Sequence, residues 1–359
     1  MASIWKNRRP LKYDYRKLIN RRVLNSIDST NKHIVCDIDK TYLETDFDSV
    51  MKLVKIPFED AEDKITVDGA NEVLSACRWG FVEEHIDNKK VSIQFVSSSP
   101  PQLRSVLTDK LLMDNLDWDS DTFKNQAYNL RKGRVDQLNQ HVVYKSAAIA
   151  HLLEQLSASS SVVLIGDNAE MDAYIYLGLL LLCQKKLTIK GYTSYLELAG
   201  VAPAIADDFT HSLKDISKVK ITGIFIRKAP GYHTLECSPF TEMITKFENY
   251  FQCALQLSHL GFLNSQKFQQ LGRSFHNKFH RSIGSLLSDT HAFLKSNRVE
   301  SDLELTLTTF LNTLKKFHSS EISEVGDRHV PNLDRLLAEL PAEDMILQHA
   351  EKWIRQLRD

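Results

Sequence analysis

Three short runs of β-type apolar residues, at 33–36, 91–96 and 162–165, constrain this chain most. Each ends in polar residues, and stretches of helical spacing lie between and after them. Residues 69–87 place Val73, Leu74, Cys77, Phe81 and Val82 on one broad face, which predicts a helix. A second helix is predicted over 103–116, and a third is predicted to open at Lys145 and to carry Ala147, Ile149, Ala150, Leu152, Leu153 and Leu156. Residues 173–183 read as a fourth helix and 220–227 (KITGIFIR) as a fourth strand. Strand and helix alternating in this way predict an α/β fold, a doubly wound parallel sheet with right-handed crossovers. Such sheets carry their active sites at the carboxyl ends of the strands.

Those ends are rich in chemistry. The first delivers Asp37 and Asp39, a carboxylate pair suited to nucleophilic attack by one member and proton transfer by the other. The second ends in Ser97-Ser98-Ser99 before two prolines, and the third in Gly166-Asp167 with Asp172 five residues on. Lys145 stands between the second and third. In isolation, the serines read as helix caps and Asp167 as a turn residue.

The set in this order, as DIDKT, FVSSSP, VVYKSAAI and GDNAEMD, resembles the haloacid dehalogenase-like phosphohydrolases. The wording VSSSPPQL, YKSAAIAHLL and LIGDNAEMDAYIY is similar to the catalytic domain of the actin-patch phosphatidate phosphatase family, relatives of the lipins. The resemblance spans roughly residues 30–230. It implies Asp37 as nucleophile, forming an aspartyl-phosphate, and Asp39 as acid and base toward leaving group and water. Ser97 would donate to the phosphoryl group, with Ser98 as the alternative, and Lys145 would supply positive charge to phosphate and nucleophile. A carboxylate does not approach a phosphate dianion without a cation between them, a need that Mg²⁺ meets. Asp37 and Asp167 are the matched ligands, with the main-chain carbonyl of Asp39 as a third and Asp172 orienting the metal's surroundings. The chain departs from the family at Lys40, where a second acid is usual, and so adds positive charge beside the phosphate site.

The 359 residues allow about two domains. We divide them into a basic N-terminal segment (1–30, partly helical), a phosphatase domain (31–235) and a helical C-terminal domain (236–359) of about five helices packed as a bundle, with no further strand. Residues 42–68 read as a flap over the first motif, and 185–219 as a connection with structure of its own. With 45 basic and 46 acidic residues there is no global field to attract nucleic acid, so no such partner is expected. Residues 1–25 concentrate eight Lys and Arg against Asp14, a solvated arm with peripheral membrane contact as its functional alternative. Five cysteines without C-x-x-C spacing, and no secretory leader, suggest the cytoplasm. The longest apolar run, 174–183, is shorter than the roughly 20 residues that span a bilayer.

Little room exists for a cap domain, so an open site is expected, suited to a phosphate at the edge of something large. The resemblance favours a phosphatidate-like lipid monoester, cleaved to diacylglycerol and phosphate. Phosphoproteins and nucleic-acid ends share the chemistry, and a catalytically silent lipid-binding scaffold is the reading from another class.

Overall fold

The computed structural model describes residues 19–27, 30–44, 61–79, 90–99, 101–125, 137–232, 239–297, 301–315 and 331–358. Seven strands form one sheet: β1 (Ile19–Val23), β2 (Lys32–Asp37), β3 (Ser92–Ser97), β4 (Ser120–Lys124), β5 (Ser161–Asp167), β6 (Lys220–Arg227) and β7 (Thr245–Phe247), in the order β1-β4-β3-β2-β5-β6-β7. All pairings are parallel except that of β1 with β4.

The apolar runs form strands because both faces of the sheet are covered, which favours continuous rather than alternating hydrophobicity. Val35, Val96, Val162 and Leu164 point to one core, and Ile34, Phe95, Val163 and Ile165 to the other. On the first face pack α3 (Gln137–Leu153), α4 (Asp172–Cys183), α5 (Ile189–Leu198), α6 (Pro203–Ser212), α11 (Leu333–Glu339) and α12 (Glu343–Arg358). On the second pack α1 (Ala70–Trp79), α2 (Arg104–Met113), α7 (Tyr250–His259), α8 (Ser265–Asn277), α9 (Ile283–Ser296) and α10 (Ser301–Lys315). Helix α4 is buried on all sides, which explains its unbroken apolar run. Among the described residues no helix is long and apolar enough to cross a membrane.

From β2 the chain moves outward to β3 and β4, then returns to β5 and moves the other way to β6 and β7. Connections therefore diverge between β2 and β5, the switch point at which doubly wound sheets open a crevice. Asp37 and Asp167 end those two strands.

Several local expectations need correction. Residues 19–23 are an edge strand, not helix, and Arg22 lies directly opposite Asp121 of β4. Strand β4 itself escaped the sequence reading, because SDTFK looks like a polar loop. It is buried because its acids are paired: Asp121 accepts from Arg22 and Trp118 and forms an ion pair with Arg104, while Asp119, just before the strand, accepts from Arg78, Ser92 and the amide of Ile93. Helix α3 starts eight residues before Lys145, so that lysine lies in its middle rather than at its opening. Among the described residues after 238 there is one more strand, β7, and six α-helices, divided between the two faces instead of forming a bundle. The connection 185–219 does have its own structure, α5 and α6. The ends of the 42–68 insert meet in a bridge between Leu43 and Thr66. The continuation of α1 to residue 87 and the arm at 1–18 lie outside the described residues.

Candidate active site

Beyond β2 the chain turns sharply: the amides of Tyr42 and Leu43 both donate to the carbonyl of Ile38 at 2.9 Å, with Lys40 in the left-handed region at φ 57°. This turn stacks Asp37, Asp39 and Thr41 at the sheet edge, all buried. Thr41 Oγ1 donates to Asp167 Oδ2 at 3.2 Å and sits 3.5 Å from Asp37 Oδ2, linking the ends of β2 and β5. Arg227, at the end of β6, braces the turn by donating to the Lys40 carbonyl at 2.6 Å.

Asp172 reaches back from the first turn of α4. Glycine is required at 166, because a Cβ there would stand 2.3 Å from Asp172 Oδ2. Asp37, Asp167 and Asp172 thereby each offer a carboxylate oxygen within 4.8 Å of the others. Lys145 crosses from α3 to meet them, with Nζ 3.0 Å from Asp37 Oδ1, 2.5 Å from Asp172 Oδ1 and 2.7 Å from Glu170 Oε2. Asp39 stays outside this cluster: its Oδ2 accepts from Ser97 at 3.0 Å and Ser99 at 2.9 Å, and its Oδ1 is buried without a hydrogen bond. Ser97 thus touches Asp39, whereas the buried Ser98 hydroxyl has no hydrogen-bond partner among the described residues. Lys40, the departure inside the first motif, donates to the hydroxyl of Tyr232 at 2.8 Å.

Burial dominates the electrostatics. It pushes Asp37 well above the ordinary carboxylate range; Lys145 opposes this, while Asp172, Glu170 and Asp167 reinforce it. Burial and repulsion from Asp172 raise Asp167 to about 7, against the pull of Lys145. Asp172 is raised by burial and Glu170, again against Lys145. Burial alone would lower Lys145, but Asp172, Asp37 and Glu170 outweigh it and hold the ammonium charged. Burial and the charge of Glu170 raise Asp39 to about 6, even though the serine hydrogen bonds favour its ionised form.

Three crowded, buried carboxylates with one lysine between them carry an excess of negative charge. That donor set fits a hard divalent cation bound through oxygen. Asp37, Asp167 and Asp172 would supply the side-chain ligands, and any contribution from Asp39 would come from its carbonyl.

Other functional residues lacked a readable signal or a role. Glu170 and Thr41 sit inside the matched motifs, yet only proximity shows that they touch Lys145 and the acid cluster. Tyr144, beside Lys145, reaches the carbonyls of Ser97 and Thr122 at 2.8 and 3.0 Å.

The doubly wound sheet thus gathers clustered acids, a buried lysine and an acid held by serines at its switch point. Residues 32–186 match the family model described as phosphatidate phosphatase APP1, catalytic domain, and so bear out the resemblance drawn from the motifs. This span runs from β2 to just beyond α4 and contains Asp37, Asp39, Ser97, Lys145, Asp167 and Asp172. No curated protein and no solved structure matches the chain.

Proposed function

We propose that the protein is a Mg²⁺-dependent phosphatase of the haloacid dehalogenase type that hydrolyses a phosphate monoester through an aspartyl-phosphate, with a phosphatidate-like lipid as substrate. The cluster of Asp37, Asp167 and Asp172 within 4.8 Å, with Lys145 against Asp37, carries this reading. A bound divalent cation supplies the positive charge that keeps these acids ionised and screens them from the phosphate dianion.

Asp37 attacks phosphorus as the P–O bond to the alcohol breaks, and Asp39 gives its proton to the departing oxygen. Water then attacks the phosphorus of the acyl phosphate and gives its proton to Asp39, releasing inorganic phosphate and restoring Asp37. A carboxyl titrating near 6 holds its proton part of the time around neutral pH, as an alternating acid and base must. Ser97 and Ser99 orient it. Both donate to Oδ2, so the proton that Asp39 transfers is carried on Oδ1, which has no hydrogen bond among the described residues. Lys145 fixes Asp37 and adds charge for the equatorial oxygens.

The lipid assignment rests on the family match, and peripheral contact through the basic arm would bring the site to a membrane surface. A substrate panel with purified protein and Mg²⁺ tests it: phosphatidate, lysophosphatidate, phosphopeptides and 3′- or 5′-phosphorylated oligonucleotides. Phosphate release from the two lipids above the other classes is expected. Release from phosphopeptides or oligonucleotides alone would overturn the lipid assignment, and phosphatidate binding to vesicles without release would favour a scaffold.

A further inference from the structure

The turn after β2 needs outside support. Lys40 lies in the left-handed region at φ 57°, a conformation that a β-carbon disfavours and that persists where the surroundings hold it. Inside the turn, the amides of Tyr42 and Leu43 converge on the Ile38 carbonyl. The carbonyls of Lys40 and Thr41 are met from other elements instead: Arg227 donates to the first, and Tyr250 Oη donates to the second at 3.0 Å. Tyr250 opens α7, is fully buried, and packs its ring edge-on against Phe247 with centroids 5.4 Å apart. Both donors lie beyond residues 32–186, the span that matches the family model.

Tyr250 bears on the acids more directly than Arg227 does. Thr41, whose carbonyl it holds, is itself fully buried; its hydroxyl donates to Asp167 Oδ2 and lies 3.5 Å from Asp37 Oδ2. One residue thus has its backbone fixed from α7 and its side chain set between the ends of β2 and β5. A buried tyrosine hydroxyl takes some acceptor in any fold. This one takes a carbonyl 209 residues away in sequence, within the turn that carries Asp39.

We propose that Tyr250 is a positioning residue for the phosphatase reaction, which sets the Thr41 hydroxyl between Asp37 and Asp167 by holding the Thr41 carbonyl. The proposal rests on the phosphatase reading of the site. It makes α7 part of the apparatus that aligns the acids, and not only a cover for the sheet.

The test measures Mg²⁺-dependent turnover of an aryl phosphate in the full chain, with melting temperature and calorimetric Mg²⁺ binding alongside. Tyr250→Phe keeps the ring and removes the hydroxyl. Its kcat should fall at least about tenfold, with KM within about twofold, because the phosphate-binding groups stay in place. Thr41→Val should lose a similar factor, and the double variant no more than about twofold beyond either single one. Phe247→Leu loosens the packing under the ring but keeps the hydroxyl. It should melt lower than wild type and keep kcat within about twofold. An unchanged kcat in Tyr250→Phe would overturn the proposal, as would losses that multiply in the double variant or an equal loss in Phe247→Leu. Failure of the phosphatase reading would show in the wild-type protein, as absence of phosphate release from every monoester tried. Mg²⁺ binding would still read the positioning in that case, and should weaken about threefold or more in both Tyr250→Phe and Thr41→Val.

Discussion

Lys145 forms ion pairs with Asp37, Glu170 and Asp172, and the balance of charge around it sets the behaviour of the site. Asp39 at about 6 and Asp167 at about 7 both lie above the ordinary carboxylate value of 3.8. A carboxyl with a raised folded-state pKa binds its proton more tightly folded than unfolded, so stability is gained as pH falls through the folded value and is lost as pH rises again. The metal-free protein should therefore have a higher melting temperature near pH 5 than near pH 8. Added Mg²⁺ should raise the melting temperature more at pH 8, where the acids are ionised, than at pH 5. Thermal melts in chelator and in Mg²⁺ across this range check both statements. A metal-free melting temperature that climbs steadily from pH 5 to pH 8 would contradict the assigned crowding.

At the scale of elements, legibility followed the source of each element's stability. Strands β2, β3 and β5 are buried on both faces and announce themselves as apolar runs. Their polar ends announced the site residues, since a strand's end fixes where the next side chains fall. Strand β4 was hidden because its burial depends on partners from other elements, Arg22, Arg78 and Arg104. Arg21 and Arg22, read as part of a solvated basic arm, are engaged in the sheet, Arg21 through Gln155 and Arg22 through Asp121. Lys145 was legible as a site residue but not as a mid-helix one, because QLNQHVV before it is too polar to signal an amphipathic start. Strand β7 spans three residues, too few for a periodicity.

Helix α12 lies outside the span that matches the family model, yet it is built into the first core. Trp353 packs on Tyr174 of α4 and on Phe240, with ring centroids 5.6 and 6.0 Å apart. Glu343 ties the start of α12 to α5 by accepting from the hydroxyl and amide of Thr188. Truncating such a buried ring removes apolar contact and leaves a cavity, at a cost of about 3–5 kcal/mol. Trp353→Ala should lose that much in urea unfolding while retaining Mg²⁺-dependent turnover at low temperature. Unchanged stability would show that α12 contributes nothing to the catalytic core.

For the molecule as a whole, the sheet gathers residues distant in sequence at one switch point, and both halves of the chain cover it. The N-terminal half supplies the acids, the serines and Lys145. Arg227 and Tyr232 brace the turn that carries Asp39, and the later helices close the two cores beneath it. The central claim is that Asp37 takes the phosphoryl group. Acid quench during turnover of an aryl phosphate with Mg²⁺, followed by peptide mass analysis, tests it most directly. The account predicts one phosphoryl group on the peptide containing Asp37 in the wild-type protein, and neither that adduct nor phosphate release in folded Asp37→Asn. Undiminished phosphate release by Asp37→Asn would contradict it.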